Sequence, residues 1–478
     1  MKREMGVSQF LIEHSASKPV SFHMPGHKGR ELFLECGMGE RLEALIDGDV
    51  TEVEGADNLF QPESIIRSTM DKYREYFSSR ESYLQINGSS GGIIASILTA
   101  VPIGGKLAMA RNCHKSVING ARLGGIKPVY IYPEILDDFG VSGGVTPEAV
   151  ASVLEKEEGI SAVLVTSPSY YGICSDIKAI AEVVHSRGAI LIVDQAHGAH
   201  LKMMDEAEGR GEKSLSADGA GANIVIESTH KTLASFTQTA VLNVYGEGVS
   251  LDGLADKLQM IESSSPSYML MSSLDMNADI LMEKGEELGM RWKDNLDYFY
   301  KEASQIPGIK ILQRENHDRT KIVLDSSAWG LTGDQVDKKL QERGVFLELT
   351  SGNLSMAMTG IGNKREDYDR LLQGLKEIAF EKEGFDEEAL KVSPDTMTKY
   401  MYMVREQREI PSRWESVHYT QGEGRVSAVS IIPYPPGAPM ITPGEVLDRE
   451  SLEYAMEMRR NGAKVIGIDK DGYITVGR

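Results

Sequence analysis

The stretch Ile224-Val-Ile-Glu-Ser-Thr-His-Lys231 predicts a buried strand followed by a short polar turn that presents one lysine. An earlier apolar run, residues 189–193, ends in Asp194. Ligands of open α/β sheets bind at the carboxyl edge of the strands, so we expect Asp194 and Lys231 to face one site. Such a pair suits an enzyme that holds pyridoxal phosphate (PLP). The lysine forms a Schiff base with the aldehyde, and the aspartate keeps the ring nitrogen protonated.

Around these two runs, short apolar segments alternate with amphipathic ones. We predict strands at residues 83–86, 106–110, 128–131, 162–166, 189–193, 224–226 and 240–244. Helical spacing is found at residues 65–77, 93–101, 147–156, 177–187 and 277–304. This alternation predicts an α/β fold in which a mostly parallel sheet is covered by helices on both faces.

The length of 478 residues predicts more than one domain. We interpret residues 1–64 as an N-terminal arm, 65–304 as a PLP-binding large domain, 305–385 as a small α+β domain and 386–478 as a C-terminal α+β domain. The acidic stretch Glu381-Lys-Glu-Gly-Phe-Asp-Glu-Glu388 is typical of a solvated linker between the last two.

The composition excludes several classes of function. A net charge of −20 would repel nucleic-acid phosphates, whereas it can steer a small cationic substrate inward. We expect no membrane span and no secretory signal, since no apolar run is long enough for a span and the first residues are polar. Three cysteines without Cys-x-x-Cys spacing predict a reduced, cytoplasmic protein.

Two polar segments are candidates for binding the cofactor phosphate. Asn87-Gly-Ser-Ser-Gly-Gly92 lies between a predicted strand and a predicted helix, where backbone amides and the Ser89 and Ser90 hydroxyls can surround an anion. Taken alone, such a loop also fits an ordinary strand-to-helix turn. Ser228 and His230, beside Lys231, are further candidate phosphate ligands.

Histidines near these segments have competing interpretations. His114 follows a predicted strand, where its flat ring can stack on a pyridine, but a helix cap fits equally. Asp194-Gln-Ala-His-Gly-Ala-His200 contains two histidines beside an acid. A zinc site needs three or four ligands, and we find no further one, so no metal is expected.

Taken together, these segments resemble the Orn/Lys/Arg decarboxylase family of fold-type-I PLP enzymes, in particular the shorter bacterial arginine and lysine decarboxylases without a wing domain. The matching segments are His23-Met-Pro-Gly-His-Lys28, Asn87-Gly-Ser-Ser90, Asn112-Cys-His-Lys-Ser116, Asp194-Gln-Ala-His-Gly-Ala-His200, Ser228-Thr-His-Lys231, Gly424-Arg-Val-Ser-Ala428 and Pro433-Tyr-Pro-Pro-Gly-Ala-Pro-Met-Ile-Thr-Pro-Gly-Glu445. The resemblance runs from about residue 23 to the end of the chain and implies an aspartate aminotransferase-like fold.

The resemblance also implies roles for individual residues. Lys231 would be the Schiff-base lysine, Asp194 the partner of the pyridinium, His114 the stacking ring, and His197 a neighbour of the cofactor's other edge. Phosphate contacts would come from Ser89, Ser90, Ser228 and His230. It further implies a homodimer or higher homo-oligomer, in which Glu262-Ser-Ser-Ser-Pro-Ser-Tyr268 serves the partner's site.

Two positions depart from the family pattern. Gln195 stands where the family usually has glutamate, and Phe60 stands in Asp57-Asn-Leu-Phe60 where a histidine is common. Neither departure affects the lysine or the aspartate, so cofactor binding is expected to survive. Substrate choice and activity are the properties that they put in question.

The resemblance implies PLP-dependent decarboxylation of a basic amino acid, with arginine favoured over lysine and ornithine. Polyamine synthesis and acid resistance both fit as its role, and the missing wing domain favours synthesis. A basic substrate needs a carboxylate at the far end of its site, for which Glu445 is our first candidate, followed by Glu52 and Asp57. Two alternatives remain open. One is transamination or aldol cleavage, with Arg111 or Arg122 available to hold a substrate carboxylate, and the other is a non-catalytic regulator that retains the fold.

Overall fold

The computed structural model describes residues 6–381, 396–434, 437–460 and 463–478. Most of the predicted acidic linker, residues 382–388, lies outside the described residues. The strands are β1 (Val20–Phe22), β2 (Glu81–Gln85), β3 (Lys106–Ala110), β4 (Lys127–Ile131), β5 (Ile135–Leu136), β6 (Val141–Ser142), β7 (Ile160–Thr166), β8 (Ile190–Asp194), β9 (Ile224–Glu227), β10 (Ala240–Val244), β11 (Lys310–Ile311), β12 (Lys321–Asp325), β13 (Val345–Leu347), β14 (Leu349–Ser351), β15 (Leu354–Met358), β16 (Trp414–His418), β17 (Ile432–Tyr434), β18 (Lys464–Ile466) and β19 (Tyr473–Gly477).

Helices connect most of these strands. They are α1 (Val7–Ser17), α2 (Glu31–Glu35), α3 (Gly39–Glu43), α4 (Ile65–Phe77), α5 (Gly88–Ala100), α6 (Lys115–Leu123), α7 (Pro147–Lys156), α8 (Ile177–Ser186), α9 (Leu201–Glu208), α10 (Thr229–Thr232), α11 (Leu251–Ile261), α12 (Tyr268–Ala303), α13 (Gly333–Gln341), α14 (Arg365–Phe380), α15 (Thr396–Met401) and α16 (Arg449–Arg460). None of the helices in the described residues is long and apolar enough to cross a membrane.

The predicted parallel sheet is the centre of the large domain. Seven strands lie in the order β2-β10-β9-β8-β7-β3-β4, and only β10 runs antiparallel to its neighbours. Alternate side chains of β8 enter two apolar cores, with Ile192 on one face and Leu191 and Val193 on the other. Because both faces are covered, these strands are apolar along their length, which is why the sequence predicts them well.

Two predicted helices begin earlier than expected. Helix α5 begins at Gly88 instead of residue 93, so the Gly-Ser-Ser-Gly-Gly segment forms its first turn despite low helix propensity. Helix α12 begins at Tyr268 instead of residue 277, where the Ser267 hydroxyl accepts a hydrogen bond from the Leu270 amide at 3.4 Å. Tertiary packing outweighs the local propensity in α5, and the Ser267 cap contributes in α12.

The small domain contains an antiparallel sheet in the order β11-β12-β15-β14. Strand β1, from the predicted N-terminal arm, pairs in parallel with β13 beside this sheet. The arm is therefore tied to the small domain by backbone hydrogen bonds, and Phe22 is fully buried in the common core.

The structure does not bring Asp57 or Glu52 to a substrate site within this chain, contrary to our expectation. The Asp57 carboxylate accepts hydrogen bonds from the backbone amides that lead into α4, those of Asn58, Glu63, Ser64, Ile66 and Arg67 at 3.0, 3.0, 2.9, 3.0 and 3.4 Å. It therefore satisfies amides that an uncapped helix start leaves without partners. Glu52 is exposed and hydrogen-bonds to the side-chain amide of Asn58.

Glu445 is also placed differently from our expectation. Its buried carboxylate contacts the guanidinium of Arg111 at 3.1 Å, and the backbone amide of Thr442 donates to it at 2.8 Å. Arg111 also donates to the carbonyls of Pro439 and Met440 at 2.6 and 2.9 Å. Glu445 thus joins the C-terminal segment to the end of β3, and it is not among the residues that line the cavity beside Lys231.

We expect Glu445→Gln to lower the stability of the chain by about 3 kcal/mol, because breaking a buried ion pair leaves a charge without its counterion. The loss is measured as a shift of the urea unfolding midpoint. The exposed pair of Lys213 and Glu315 is the matched control, and Glu315→Gln is expected to change stability by less than about 1 kcal/mol. An unchanged midpoint for Glu445→Gln would contradict the structural role.

Candidate active site

A cavity of about 340 Å³ lies at the carboxyl edge of the central sheet. Strands β7, β8 and β9 are neighbours in parallel register, so the residues at their ends meet at this edge. All the residues predicted to contact the cofactor line the cavity: Ser89, Ser90, His114, Asp194, His197, Ser228, His230 and Lys231. Its volume is within the usual range for small-molecule sites.

Lys231 is presented by the short helix α10, directly after β9. Its Nζ lies 2.8 Å from Nε2 of His197, which follows β8. Burial lowers the pKa of Lys231 to about 8, although Asp194 opposes this shift. A substantial fraction of the amine is therefore neutral near physiological pH, and the neutral form is the one that attacks an aldehyde.

Asp194 is buried at the end of β8, where one carboxylate oxygen accepts a hydrogen bond from the backbone amide of Ala196 at 3.1 Å. Burial raises the pKa of this carboxyl, and the neighbouring Lys231 and the Ala196 amide work against the increase. A cation beside Asp194 would be strongly stabilised in this environment. A protonated pyridine nitrogen is such a cation.

The candidate phosphate site lies at the beginning of α5. Ser228 donates a hydrogen bond to the Ser89 hydroxyl at 2.9 Å, which joins the turn before Lys231 to the first turn of this helix. Nδ1 of His230 lies 2.6 Å from the carbonyl of Thr239, so Nδ1 carries the proton and Nε2 is an acceptor when the ring is neutral. Backbone amides and hydroxyls at the start of a long helix suit an anion.

His114 is a helix cap, and its predicted stacking on the cofactor stays a prediction that its position allows. It caps α6, because Nδ1 accepts from the Ser116 amide at 3.3 Å, and its ring also lines the cavity. Burial, followed by the nearby Lys231, lowers the pKa of His114 to about 3. The ring is therefore neutral, which suits stacking on a flat, electron-poor ligand.

Polar atoms in the cavity wall provide a test of whether PLP fits. Three of them, Asn112 Oδ1, Thr166 Oγ1 and His197 Nδ1, are buried and have no hydrogen-bond partner among the described residues. Buried polar atoms in proteins are normally paired, so these three favour a polar ligand. PLP carries a ring nitrogen, a hydroxyl and a phosphate, and the site offers Asp194, hydroxyl groups and a helix start to match them.

Sequence reasoning missed a second acid that lines this cavity, Glu348, between β13 and β14. The Tyr170 hydroxyl donates to one carboxylate oxygen at 2.9 Å, and the Met24 amide donates to the other at 3.1 Å. The available signal was a single carboxylate within the otherwise apolar run Val345-Phe-Leu-Glu-Leu349. A charged residue within such an apolar run points to a functional role.

The two departures from the family pattern lie away from the cavity. Gln195 donates to the carboxylates of Glu227 and Asp218 at 2.6 and 3.0 Å. Burial, and then Asp218, raises the pKa of Glu227, so a third carboxylate at position 195 would be unfavourable here. Phe60 packs against the apolar core around α4. Neither side chain lines the cavity.

A larger surface groove of about 910 Å³ lies between α8 and residues 212–221. It contains none of the predicted site residues and no buried polar atom without a partner among the described residues. Nowhere among the residues that the structure describes is a group of three or more His, Cys, Asp or Glu side chains arranged to hold a metal ion.

Comparison with solved structures identifies the class of fold. A lysine decarboxylase from Francisella novicida has a TM-score of 0.75 at 20% identity, covering 95% of this chain and 78% of its own. A pyridoxamine-pyruvate aminotransferase from Mesorhizobium loti has a TM-score of 0.56 at 16% identity, covering 72% of this chain and 89% of its own. The fold is that of the fold-type-I PLP enzymes, as the sequence predicted.

The chain belongs to the Orn/Lys/Arg decarboxylase family. The model of the family's major domain matches residues 7–324, and that of its C-terminal domain matches residues 386–471. The arginine decarboxylase of Bacillus subtilis is 30% identical over 469 residues, 96% of this chain and 94% of that protein. The constitutive lysine decarboxylase of Escherichia coli is 22% identical over 96% of this chain and 78% of that protein. The predicted resemblance is confirmed, and with it a PLP-dependent decarboxylase.

The lowered pKa of Lys231 leads to a test of its role. We expect the rate of PLP uptake by the cofactor-depleted chain to rise with pH and to level off above about 8, because only the neutral amine reacts. Stopped-flow absorbance follows the uptake. Borohydride reduction should then leave cofactor covalently attached to the unaltered chain and to Lys202→Ala, but not to Lys231→Ala. Attachment to Lys231→Ala, detected by mass spectrometry, would exclude this assignment.

Proposed function

We propose that this chain decarboxylates arginine, releasing carbon dioxide and agmatine, with lysine and ornithine as poorer substrates. The observation that carries this choice is Glu348, an acid in the cavity that Tyr170 and the Met24 amide hold in place. A carboxylate with fixed orientation can receive the planar guanidinium through two parallel hydrogen bonds. Several relatives with 28–30% identity are arginine decarboxylases, which supports the same choice.

Bound PLP would supply the chemistry by accepting the electrons released when the bond to the substrate carboxylate breaks. The proposed role of the chain is to hold the cofactor and to orient its ring. Asp194 would keep a proton on the ring nitrogen, His114 would cover one face of the ring, and Ser89, Ser90, Ser228 and His230 would hold the phosphate. Because water is largely excluded from such a site, these charges interact with the cofactor more strongly than they would in water.

Lys231 and His197 are the proposed proton carriers. The product needs one proton in place of the lost carboxylate, and Lys231 Nζ is the donor that we favour. Nε2 of His197 lies 2.8 Å away and can orient this amine or return a proton to it. Burial, and then the charge of Lys231, lowers the pKa of His197, so the ring is neutral and returns a proton from one nitrogen only by accepting another at its second nitrogen.

Two observations count against the alternative functions. No arginine lines the cavity among the described residues, and Arg111, a candidate for transamination, is occupied by Glu445. A transaminase needs an arginine to hold the substrate carboxylate, whereas a decarboxylase does not. A regulator without activity would have no use for a lysine with a lowered pKa that shares a cavity with a buried Asp194 and a half-buried Glu348.

We further infer a homodimer of a cytoplasmic protein. Helix α1 buries none of its residues in this chain and exposes Val7, Phe10, Leu11 and Ile12, which fits contact with a second copy. Residues 263–265, which the resemblance assigns to the partner's site, are exposed. They lie near the candidate phosphate loop, since the Asn87 side chain of that loop donates to the Ile261 carbonyl at 3.3 Å. Free thiols at Cys113 and Cys174 suit a reducing compartment.

The substrate proposal is tested with arginine, lysine and ornithine supplied together and with the amines identified by mass spectrometry. We expect agmatine to dominate. Glu348→Gln should lower kcat/KM for arginine by about 30-fold, which corresponds to about 2 kcal/mol for one lost charge-assisted contact. The exposed Glu247→Gln is the control and should have no effect. Cadaverine as the main product would refute arginine, and a requirement for a keto acid would indicate transamination.

The dimer is tested by sedimentation velocity at micromolar concentration. We expect Leu11→Asp to shift the chain from dimer to monomer, because it places a charge on the exposed apolar side of α1. Gln9→Asp adds the same charge to the opposite side of the same helix without removing an apolar side chain, and it should leave the dimer intact. A Leu11→Asp variant that still sediments as a dimer would exclude α1 from the interface.

A further inference from the structure

A buried charged network lies behind the cavity and has no part in the proposed reaction so far. Lys321, at the beginning of β12, is fully buried, and Asp318 is 2% exposed. His200, after β8, is also fully buried and belongs to the same network. Buried charges of this kind are costly, so their retention suggests a purpose beyond stability.

Lys321 is connected to the reacting lysine through His197. Its Nζ donates to the His197 backbone carbonyl at 3.0 Å and to Asp318 Oδ2 at 3.2 Å. The ring of the same histidine contacts Lys231 at 2.8 Å. A lysine of the small domain therefore holds the backbone of the residue whose ring orients the amine of the large domain.

A second branch reaches the turn of Lys231 from the other side. His200 Nε2 lies 3.1 Å from Asp318 Oδ1, and His200 Nδ1 lies 3.1 Å from the Thr232 hydroxyl. A carboxylate only accepts, so Nε2 donates to Asp318 and Nδ1 accepts from Thr232. Burial lowers the pKa of His200, which keeps this ring neutral with a single defined tautomer. Thr232 follows Lys231 directly.

Charge also links the network to the site. After burial, the positive charge of Lys321 contributes to the lowered pKa values of Lys231 and His197. The titratable groups that face Lys231 come from every element around it: Asp194, His197, His114, His230, Glu348 and Lys321. Among these six residues, Lys321 is the one that does not line the cavity.

We propose that Lys321 and Asp318 are positioning residues of the small domain, which hold the His197 carbonyl and, through His200, the turn of Lys231, and which set the charge around its amine. The inference rests on the decarboxylase function proposed above. The competing interpretation is that the ion pair merely joins the two domains. The two interpretations differ in what they predict for the titration of Lys231.

The experiment compares Lys321→Met with the double variant Lys321→Met/Asp318→Asn in the full chain. The first readout is the pH midpoint of PLP uptake. Removing the cation should raise this midpoint by about one pH unit in Lys321→Met. The double variant removes both charges, so its midpoint should return at least halfway to that of the unaltered chain. The exposed Lys213→Met is the control and should leave the midpoint unchanged.

The second readout is kcat with arginine. Both variants lack the donor to the His197 carbonyl, so kcat should fall at least 10-fold in each while KM changes less than threefold. A general folding defect would make the double variant worse in both readouts and would not restore the midpoint. If Lys321→Met does not fold, the kcat of the double variant decides, since neutral replacement of both partners is commonly tolerated.

Unchanged midpoints together with unchanged kcat would overturn the positioning role and leave the decarboxylase function intact. Failure of the unaltered chain to take up PLP or to form an amine would instead refute the proposed function itself. The two failures are thus distinguishable.

Discussion

The meeting of parallel strand ends at one buried edge is the constraint on which the rest of the structure depends. Strand order places β8 beside β9, so a carboxylate and a lysine that are distant in sequence lie in one cavity. Burial then lowers the pKa of Lys231 and raises that of Asp194. The same low-dielectric environment makes one side chain a nucleophile and the other a partner for a cation.

The site is completed by parts of the chain outside the large domain. Glu348 comes from the small domain, Met24 from the arm, and Tyr434 from the C-terminal segment. Strand β1 joins the arm to the small domain, which fixes Met24 where its amide meets Glu348. The cavity therefore exists only when several segments of distant sequence are docked together.

The sequence predicted the central sheet and grouped eight residues that do line one cavity, because strands buried on both faces are uniformly apolar and their polar ends are conspicuous. It did not predict that Glu445 pairs with Arg111, 334 positions earlier, since nothing local reveals this partner. It also missed Glu348, whose orientation depends on partners in two other segments. Pairings between distant residues are what a pattern along one chain does not contain.

The pairing of Arg111 with Glu445 has a consequence for the order in which the chain assembles. At about 5–20 residues per second, roughly 20 to 70 s of synthesis separate the two residues on the ribosome. During that time the guanidinium at the end of β3 stays hydrated, because burying it alone would be costly. The edge of the sheet next to His114 is therefore closed last, when the C-terminal segment arrives with the matching charge.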